Sequence, residues 1–439
     1  MNLDRTKIVA ALLVVLILPP CLNVVRATEP QQLPFSSELQ QILDEGVLAS
    51  NTGLGVSAAV IAEGYAPWIG VAGYSVRATN DVVLMRSDML FEIGSVDKNM
   101  ITVIMLQLVE EGQIALDDPL SKWISGYSQL PAEVTVRDLI ASTSGIAEWV
   151  DHPDSIFQGE FSPQNLSRSW TVDQMLKELV GPPEFTPGEK WRYSTTGFRL
   201  AREIIELETG QSIADVIQLR LLDPLNISDM WLEPSWPIPS RYAVAHEWRH
   251  IDGDQNLEDI TDIPKVAFSD LTAAPVYATA IDLARYCQGL FHDGALVSAD
   301  MLAEMLDFRE ADDPAEPMAA SYGLGTGTFN IPGISSIEHY GHGGSGLGYV
   351  VMMLYLPKRQ ASVVIMTNDQ GATMSTVGAA FLQAVDRGLA SPGNTIGGIP
   401  AFLLESVIIG AFVGVGILYS YKRRKNASTR GKQTQQSSV

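Results

Sequence analysis

The chain has 439 residues, 46% of them hydrophobic and 18% charged, a globular composition that excludes a disordered or fibrous protein. Its net charge is −22, and because both chain ends are basic the body between them is more acidic still. Such a body repels phosphate backbones and anionic headgroups, which excludes nucleic-acid binding as the main activity. The two cysteines, Cys21 and Cys287, fall in different segments, so neither a disulfide in the body nor a cysteine-rich metal site is expected.

In chain order, residues 1–27 read as a secretory signal: Arg5 and Lys7, the apolar run Ile8–Leu18, then Val25-Arg26-Ala27 as the cleavage site. An uncleaved anchor is the alternative. The body, 28–390, begins with short β-rich runs at 56–62 and 67–73, joined across Glu63-Gly64-Tyr65-Ala66 as a hairpin. A helical period starts near Ser95 and runs through Ile101, Ile104, Met105, Leu108 and Val109 to Gly112. The stretch 115–310 is mostly helical in pattern, broken by Pro and Gly. Strand character returns at 322–329, 348–355 and 361–367, and a helix over 372–388 closes the body. Strands at both chain ends with helices between predict an α/β (α+β) fold: one antiparallel sheet made from the two ends, flanked by helices, with a helical insert. A Gly/Pro-rich linker, 391–400, leads to the apolar run Ala401–Tyr421, which at helical rise spans ~30 Å, and then to Lys422-Arg423-Arg424-Lys425. This pattern predicts a single transmembrane helix with the body outside and a basic cytoplasmic tail over 422–439.

Three pieces carry chemistry. Ser95-Val96-Asp97-Lys98 opens the long helix, and serine and lysine three apart share a helical face, so the amine can reach the hydroxyl. Alone, the motif is common on soluble helices. Tyr193-Ser194-Thr195 supplies a phenol, which near a lysine ammonium can serve as a base. His342-Gly343-Gly344-Ser345 leads towards a strand. A cation beside two glycines lets backbone approach a substrate, and a strand amide can complete an oxyanion hole. Taken singly, Tyr193 reads equally as a core tyrosine and His342 as a loop histidine.

Together with Phe91-Glu92-Ile93-Gly94 before the serine, the run 108–120, Thr143-Ser144-Gly145 and Phe185-Thr186-Pro187-Gly188, these motifs stand in an order that resembles the serine β-lactamases and penicillin-recognising enzymes. The likeness is to the class C-like branch, which includes D-alanyl-D-alanine carboxypeptidases, D-aminopeptidases and carboxylesterases. The resemblance implies a β-lactamase/transpeptidase-like fold and an acyl-enzyme mechanism without cofactor or metal. It implies Ser95 as nucleophile, Lys98 as its activator and Tyr193 as the proton relay. His342 would supply charge or a hydrogen bond, and the amides of Ser95 and Ser345 would form the oxyanion hole beside Gly343, Gly344 and Thr195.

The sequence departs from that pattern at three positions. Thr195 stands where relatives usually carry asparagine, which favours ester over amide recognition. Asp97 stands where a small hydroxyl residue is usual, either paired with Lys98 or facing solvent, and Ser142 replaces a frequent histidine. Two literal motifs are decoys. His246-Glu247-Trp248-Arg249-His250 lacks the continuing helix zinc needs, since Arg241–His246 looks like a strand entering a hairpin and Asp252-Gly253-Asp254 breaks the chain, and Gly341-His342-Gly343-Gly344-Ser345-Gly346 precedes a strand rather than a phosphate-binding helix. The expected function is a membrane-anchored, extracytoplasmic serine hydrolase acting on small esters or D-amino-acid amides and short peptides. The alternative of a different class is a catalytically silent ligand-binding or sensor domain on a membrane stalk.

Overall fold

The computed structural model describes residues 30–78, 81–156, 167–232, 248–250, 257–259, 266–314, 316–346, 348–369 and 371–390. Its elements that matter for the site are, in chain order, α1 (Ser36–Ser50), β1 (Val56–Ala62), β2 (Trp68–Ala72), α2 (Asp97–Glu110), α3 (Thr195–Thr209), α4 (Ala280–Phe291), β3 (Arg309–Glu310), β4 (Ala319–Tyr322), β5 (Gly327–Phe329), β6 (Tyr340–Ser345), β7 (Val350–Leu356), β8 (Ala361–Thr367) and α5 (Ala372–Ala390). Among the described residues the eight strands form one antiparallel sheet in the order β3-β4-β5-β6-β7-β8-β1-β2. The expected sheet built from both chain ends is therefore present, closed where β1 pairs with β8 from Val56↔Thr367 to Ala62↔Ala361.

The central strands are buried on both faces, which is why β1 and β8 read as nearly continuous apolar runs rather than alternating ones. Val56, Ala58 and Val60 of β1, with Val363 and Ile365 of β8, pack under α1 and α5. Ala59, Val364 and Met366 point the other way, into the larger core shared with α2 and α4. The two terminal helices sit close enough that a Cβ added to Gly46 of α1 would lie 2.3 Å from Val377 Cγ2 of α5.

On the opposite face the chain runs through Phe91–Glu92, which pairs with Val276–Ala278, and the Ile93 amide donates to the Val276 carbonyl at 2.9 Å. A 3₁₀ turn at Gly94–Val96 follows and leads straight into α2. This helix is buried at every residue from Asp97 to Leu106, so it has no solvent face over three turns and forms the axis of the helical region.

Several sequence expectations change. The helix predicted from Ser95 starts at Asp97, with Ser95 in the preceding turn. The strand predicted over 322–329 is two strands, because a tight turn in which Gly323 N–H donates to the Thr326 carbonyl at 2.9 Å separates β4 from β5. His342 lies within a strand, β6, rather than on a loop leading to one. Its glycines have low strand propensity, and pairing from Tyr340↔Tyr355 to Ser345↔Val350 overrides it. The zinc-like motif, by contrast, follows the expectation of a hairpin where it is described, since Trp248–His250 is a strand paired with Leu257–Asp259; His246 and Glu247 lie outside the described residues.

The predicted transmembrane helix, and the single-pass, extracytoplasmic localisation built on it, must be corrected. No helix among the described residues is long and apolar enough to cross a membrane. In the longest of them, α5, the apolar run is interrupted by Gln383, Asp386 and Arg387, and the helix packs on the sheet. The signal expected over 1–27, the linker 391–400, the span 401–421 and the tail 422–439 all lie outside the described residues.

Candidate functional site

The turn before α2 presents Ser95. Gly94 adopts φ +51°, a left-handed conformation that turns the chain from strand into helix, and Ser95 is left half-buried at the mouth of a cavity of about 290 Å³. Lys98, one helical turn on and 2% exposed, donates from Nζ to Ser95 Oγ at 3.1 Å. Burial pushes the Lys98 amine below the ordinary lysine range, and the carboxylates of Asp97, Glu148 and Glu316 pull it back up.

Tyr193 stands just before α3, on the far side of Lys98, with Lys98 Nζ 5.2 Å from its ring centroid and its hydroxyl hydrogen-bonded to Ser95. The structure thus brings Ser95, Lys98 and Tyr193 together. Burial, outweighing the hydrogen bond from Ser95, pushes the phenol well above its usual range, so the resting group is a neutral phenol rather than a phenolate.

His342 is 3% exposed, with Nε2 3.0 Å from the Tyr322 hydroxyl and Nδ1 2.6 Å from the Gly343 carbonyl. Nδ1 donates to the carbonyl and Nε2 accepts from the phenol, which fits a neutral ring. Burial lowers its pKa to about 3. Of the charge or hydrogen bond expected from His342, the neutral ring leaves the hydrogen bond, and its centroid lies 6.1 Å from that of Tyr193.

β6 runs directly against the Ser95 turn. A Cβ on Gly344 would lie 1.9 Å from the Ile93 carbonyl oxygen and 3.3 Å from the Ser95 amide nitrogen, and one on Gly94 would lie 2.7 Å from the Ser345 amide nitrogen. Glycine at both positions lets two backbones meet beside the Ser95 hydroxyl. Gly343 is half-buried on the same strand, and the exposed Ser345 lines the cavity.

Thr195, also lining the cavity, begins α3. The helix is capped by Ser194, whose Oγ accepts from the Gly197 amide at 2.8 Å. A residue missed in the sequence, Glu148, completes this end. Its buried carboxylate accepts from Ser194 Oγ and, at 2.9 Å, from the Thr195 amide. Burial raises its pKa, the hydrogen bonds oppose that, and nothing in its local sequence distinguishes it from a surface glutamate. Tyr322 and Glu316 were missed for the same reason. Glu316, on the loop before β4, is pushed up to about 7 by burial and by Asp313.

Asp97 is only 2% exposed, which rules out the solvent-facing alternative. Its Oδ2 accepts from the Ala274 amide at 2.7 Å and its Oδ1 lies 3.9 Å from Lys98 Nζ. Ser142 is also buried, at φ +60°, with no hydrogen-bond partner for its Oγ among the described residues.

The family model described as Beta-lactamase matches residues 41–387. The chain is 29% identical over 170 residues to Esterase EstB of Burkholderia gladioli, a match covering 37% of this chain and 43% of the esterase. It is 23% identical over 295 residues to Penicillin-binding protein 4* of Bacillus subtilis, covering 66% of this chain and 63% of that protein. Among solved structures, the D-amino acid amidase of Ochrobactrum anthropi SV3, complexed with L-phenylalanine amide, superposes with a TM-score of 0.68 at 24% identity, covering 80% of this chain and 99% of the amidase. That likeness shows the shared fold. With most of its length matched by the family model and its sheet, helices and strand order in place, the chain belongs to the Beta-lactamase family, within the superfamily of serine hydrolases that comprises the serine β-lactamases and transpeptidases.

Proposed function

We propose that the protein hydrolyses small esters, or amides of D-amino acids and short peptides, through an acyl-enzyme on Ser95. The observation that carries this reading is the 3.1 Å contact between Ser95 Oγ and the buried Lys98 Nζ. A lysine amine desolvated to this degree gives up its proton more readily than one in water, and once neutral it accepts the serine proton as Oγ attacks the substrate carbonyl. The oxyanion that forms sits where β6 meets the Ser95 turn, within reach of the Ser95 and Ser345 amides. The neutral Tyr193 phenol delivers a proton to the departing alcohol or amine and regains one from Lys98, which holds the proton taken from Ser95. Water then attacks the acyl carbonyl, its proton passing to the same pair, and the Ser95–acyl bond breaks to release the acid and restore the serine hydroxyl. His342 orients Tyr193 from behind as a neutral ring.

Val150 and Phe268 give the cavity apolar walls suited to a short acyl chain or side chain. Thr195 offers one hydroxyl of short reach, which suits an ester better than a planar amide. The esterase and the D-amino acid amidase among the similar proteins support the same range of substrates.

The test is hydrolysis of a short-chain nitrophenyl ester by the chain beside its Ser95→Ala variant. The variant is expected to lose at least about a thousandfold in kcat/KM. Equal rates from the two would remove Ser95 from the mechanism.

A further inference from the structure

Tyr193, the proposed proton donor, packs against a small cluster of Trp191, Ala311 and Tyr322 that is separate from the two large cores. The rings of Trp191, Tyr322 and His342 stand around it, with centroids 6.5, 6.3 and 6.1 Å from its own. Tyr322 meets it edge-on, at 86°. The place of the Tyr193 phenol is therefore set by this cluster rather than by the packing that holds the sheet and helices together.

Tyr322 joins the cluster to β6. It is the last residue of β4 and is 3% exposed. Its ring is confined: the centroid is 5.5 Å from that of Trp191, and a Cβ on Gly327, its partner across the β4–β5 pair, would lie 3.0 Å from Cδ2. Burial pushes its phenol well above the usual range, so the hydroxyl keeps its proton and donates. It donates to His342 Nε2 at 3.0 Å, while His342 Nδ1 donates to the Gly343 carbonyl at 2.6 Å. A neutral imidazole has one donor and one acceptor, so both nitrogens are engaged and the ring cannot turn without losing a bond. The carbonyl it holds belongs to the peptide that leads into Gly344, where β6 meets the Ser95 turn.

We infer that Tyr322 is a positioning residue: its hydroxyl fixes the His342 ring, and the two rings together hold the Tyr193 phenol in place for proton delivery to the leaving group. Tyr322 itself touches no reacting atom. The hold on His342 stands on the geometry alone, whereas the part in proton delivery rests on the hydrolase reading above. The benefit of a well-placed phenol depends on what departs, since a nitrophenolate leaves without a proton and an alkoxide does not.

Ethyl butyrate and nitrophenyl butyrate share an acyl group and differ only in the leaving group. Tyr322→Phe, which keeps the ring, is expected to lower kcat/KM about tenfold for the ethyl ester, the worth of one neutral hydrogen bond, and by less than about twofold for the nitrophenyl ester. A general loss of site geometry would lower both alike, so equal falls, or no fall with the ethyl ester, overturn the positioning role. Nitrogen NMR of the His342 ring, assigned by its absence in His342→Gln, reads the same contact without turnover. The ring of the unaltered chain is expected to carry its proton on Nδ1, and the bare Nε2 resonance should move downfield in Tyr322→Phe as its hydrogen bond is lost. A proton on Nε2 in the unaltered chain, or an Nε2 resonance unmoved in the variant, overturns the proposal whether or not the chain turns over an ester. Should Tyr322→Phe misfold, the spectrum of the unaltered chain decides alone. A chain that hydrolyses neither ester refutes the proposed function and the part of Tyr322 in proton delivery, while the expected ring resonances would leave its hold on His342 standing.

Discussion

At the scale of single residues, the site turns on how one buried amine is balanced. Lys98 has lost its water, which favours the neutral form a base requires, yet Asp97 lies 3.9 Å away and Glu148 and Glu316 face it as well. Because Asp97 raises the Lys98 pKa, removing its charge should let the amine lose its proton at lower pH. The acid limb of the pH–rate profile for ester hydrolysis is therefore expected to move to lower pH in Asp97→Asn. A limb that stays in place or moves upward would show that Asp97 does not govern the proton on Lys98. His342 illustrates the opposite outcome: burial between Tyr322 and the Gly343 carbonyl favours the neutral ring, so of the two expected roles, charge or hydrogen bond, it keeps the second.

At the scale of elements, the proposed function depends on β6 lying against the turn that carries Ser95. The contact is backbone on backbone, so a side chain at Gly344 has nowhere to go: its Cβ would meet the Ile93 carbonyl oxygen at 1.9 Å. Gly344→Ala must push the strand away from the turn and separate the two amides proposed as the oxyanion hole. Hydrolysis is expected to fall by about a hundredfold or more, measured as kcat on the nitrophenyl ester, with only a modest loss of thermal stability. Unchanged kcat would place the oxyanion elsewhere. The other end of the site is held by the α3 N-terminus, where Ser194 and Glu148 share the cap. Ser194→Ala should cost about 1–2 kcal/mol in denaturant unfolding, since it removes a helix cap and one of the partners of a buried carboxylate.

At the scale of the whole molecule, the first and last segments of the described residues, 36–72 and 361–390, are locked into one sheet and one helical layer. β1 is held between β8 and β2, and α1 lies on α5, so neither end has a complete core without the other. Loss of the site and loss of the fold should therefore coincide on heating. Gly46→Leu tests this far from the cavity, by forcing a side chain against Val377. Overpacking of this kind costs about 1–3 kcal/mol, and the proposed hydrolysis of the nitrophenyl ester and the far-UV signal are expected to disappear together at a lowered midpoint. Two separate transitions would show that the terminal helices unfold independently of the catalytic region.

Periodicity and composition alone were enough to locate β1, β8, α5 and the body of α2, because strands buried on both faces and a fully buried helix leave continuous apolar runs in the sequence. The spacing of Ser95 and Lys98 was legible for the same local reason: residues three apart around a helix start fall within reach of each other whatever surrounds them. What local pattern could not decide was everything that depends on which distant segment lies opposite. β6 is a strand only because β7 pairs with its glycines. Glu148 belongs to the site only because the start of α3 lies against it, Asp97 is buried because the segment at Ala274 covers it, and the Tyr193 phenol holds its proton more tightly than a phenol in water because the fold buries it. Burial and long-range pairing set these charges and contacts, and they arise only when residues far apart in the chain are packed together.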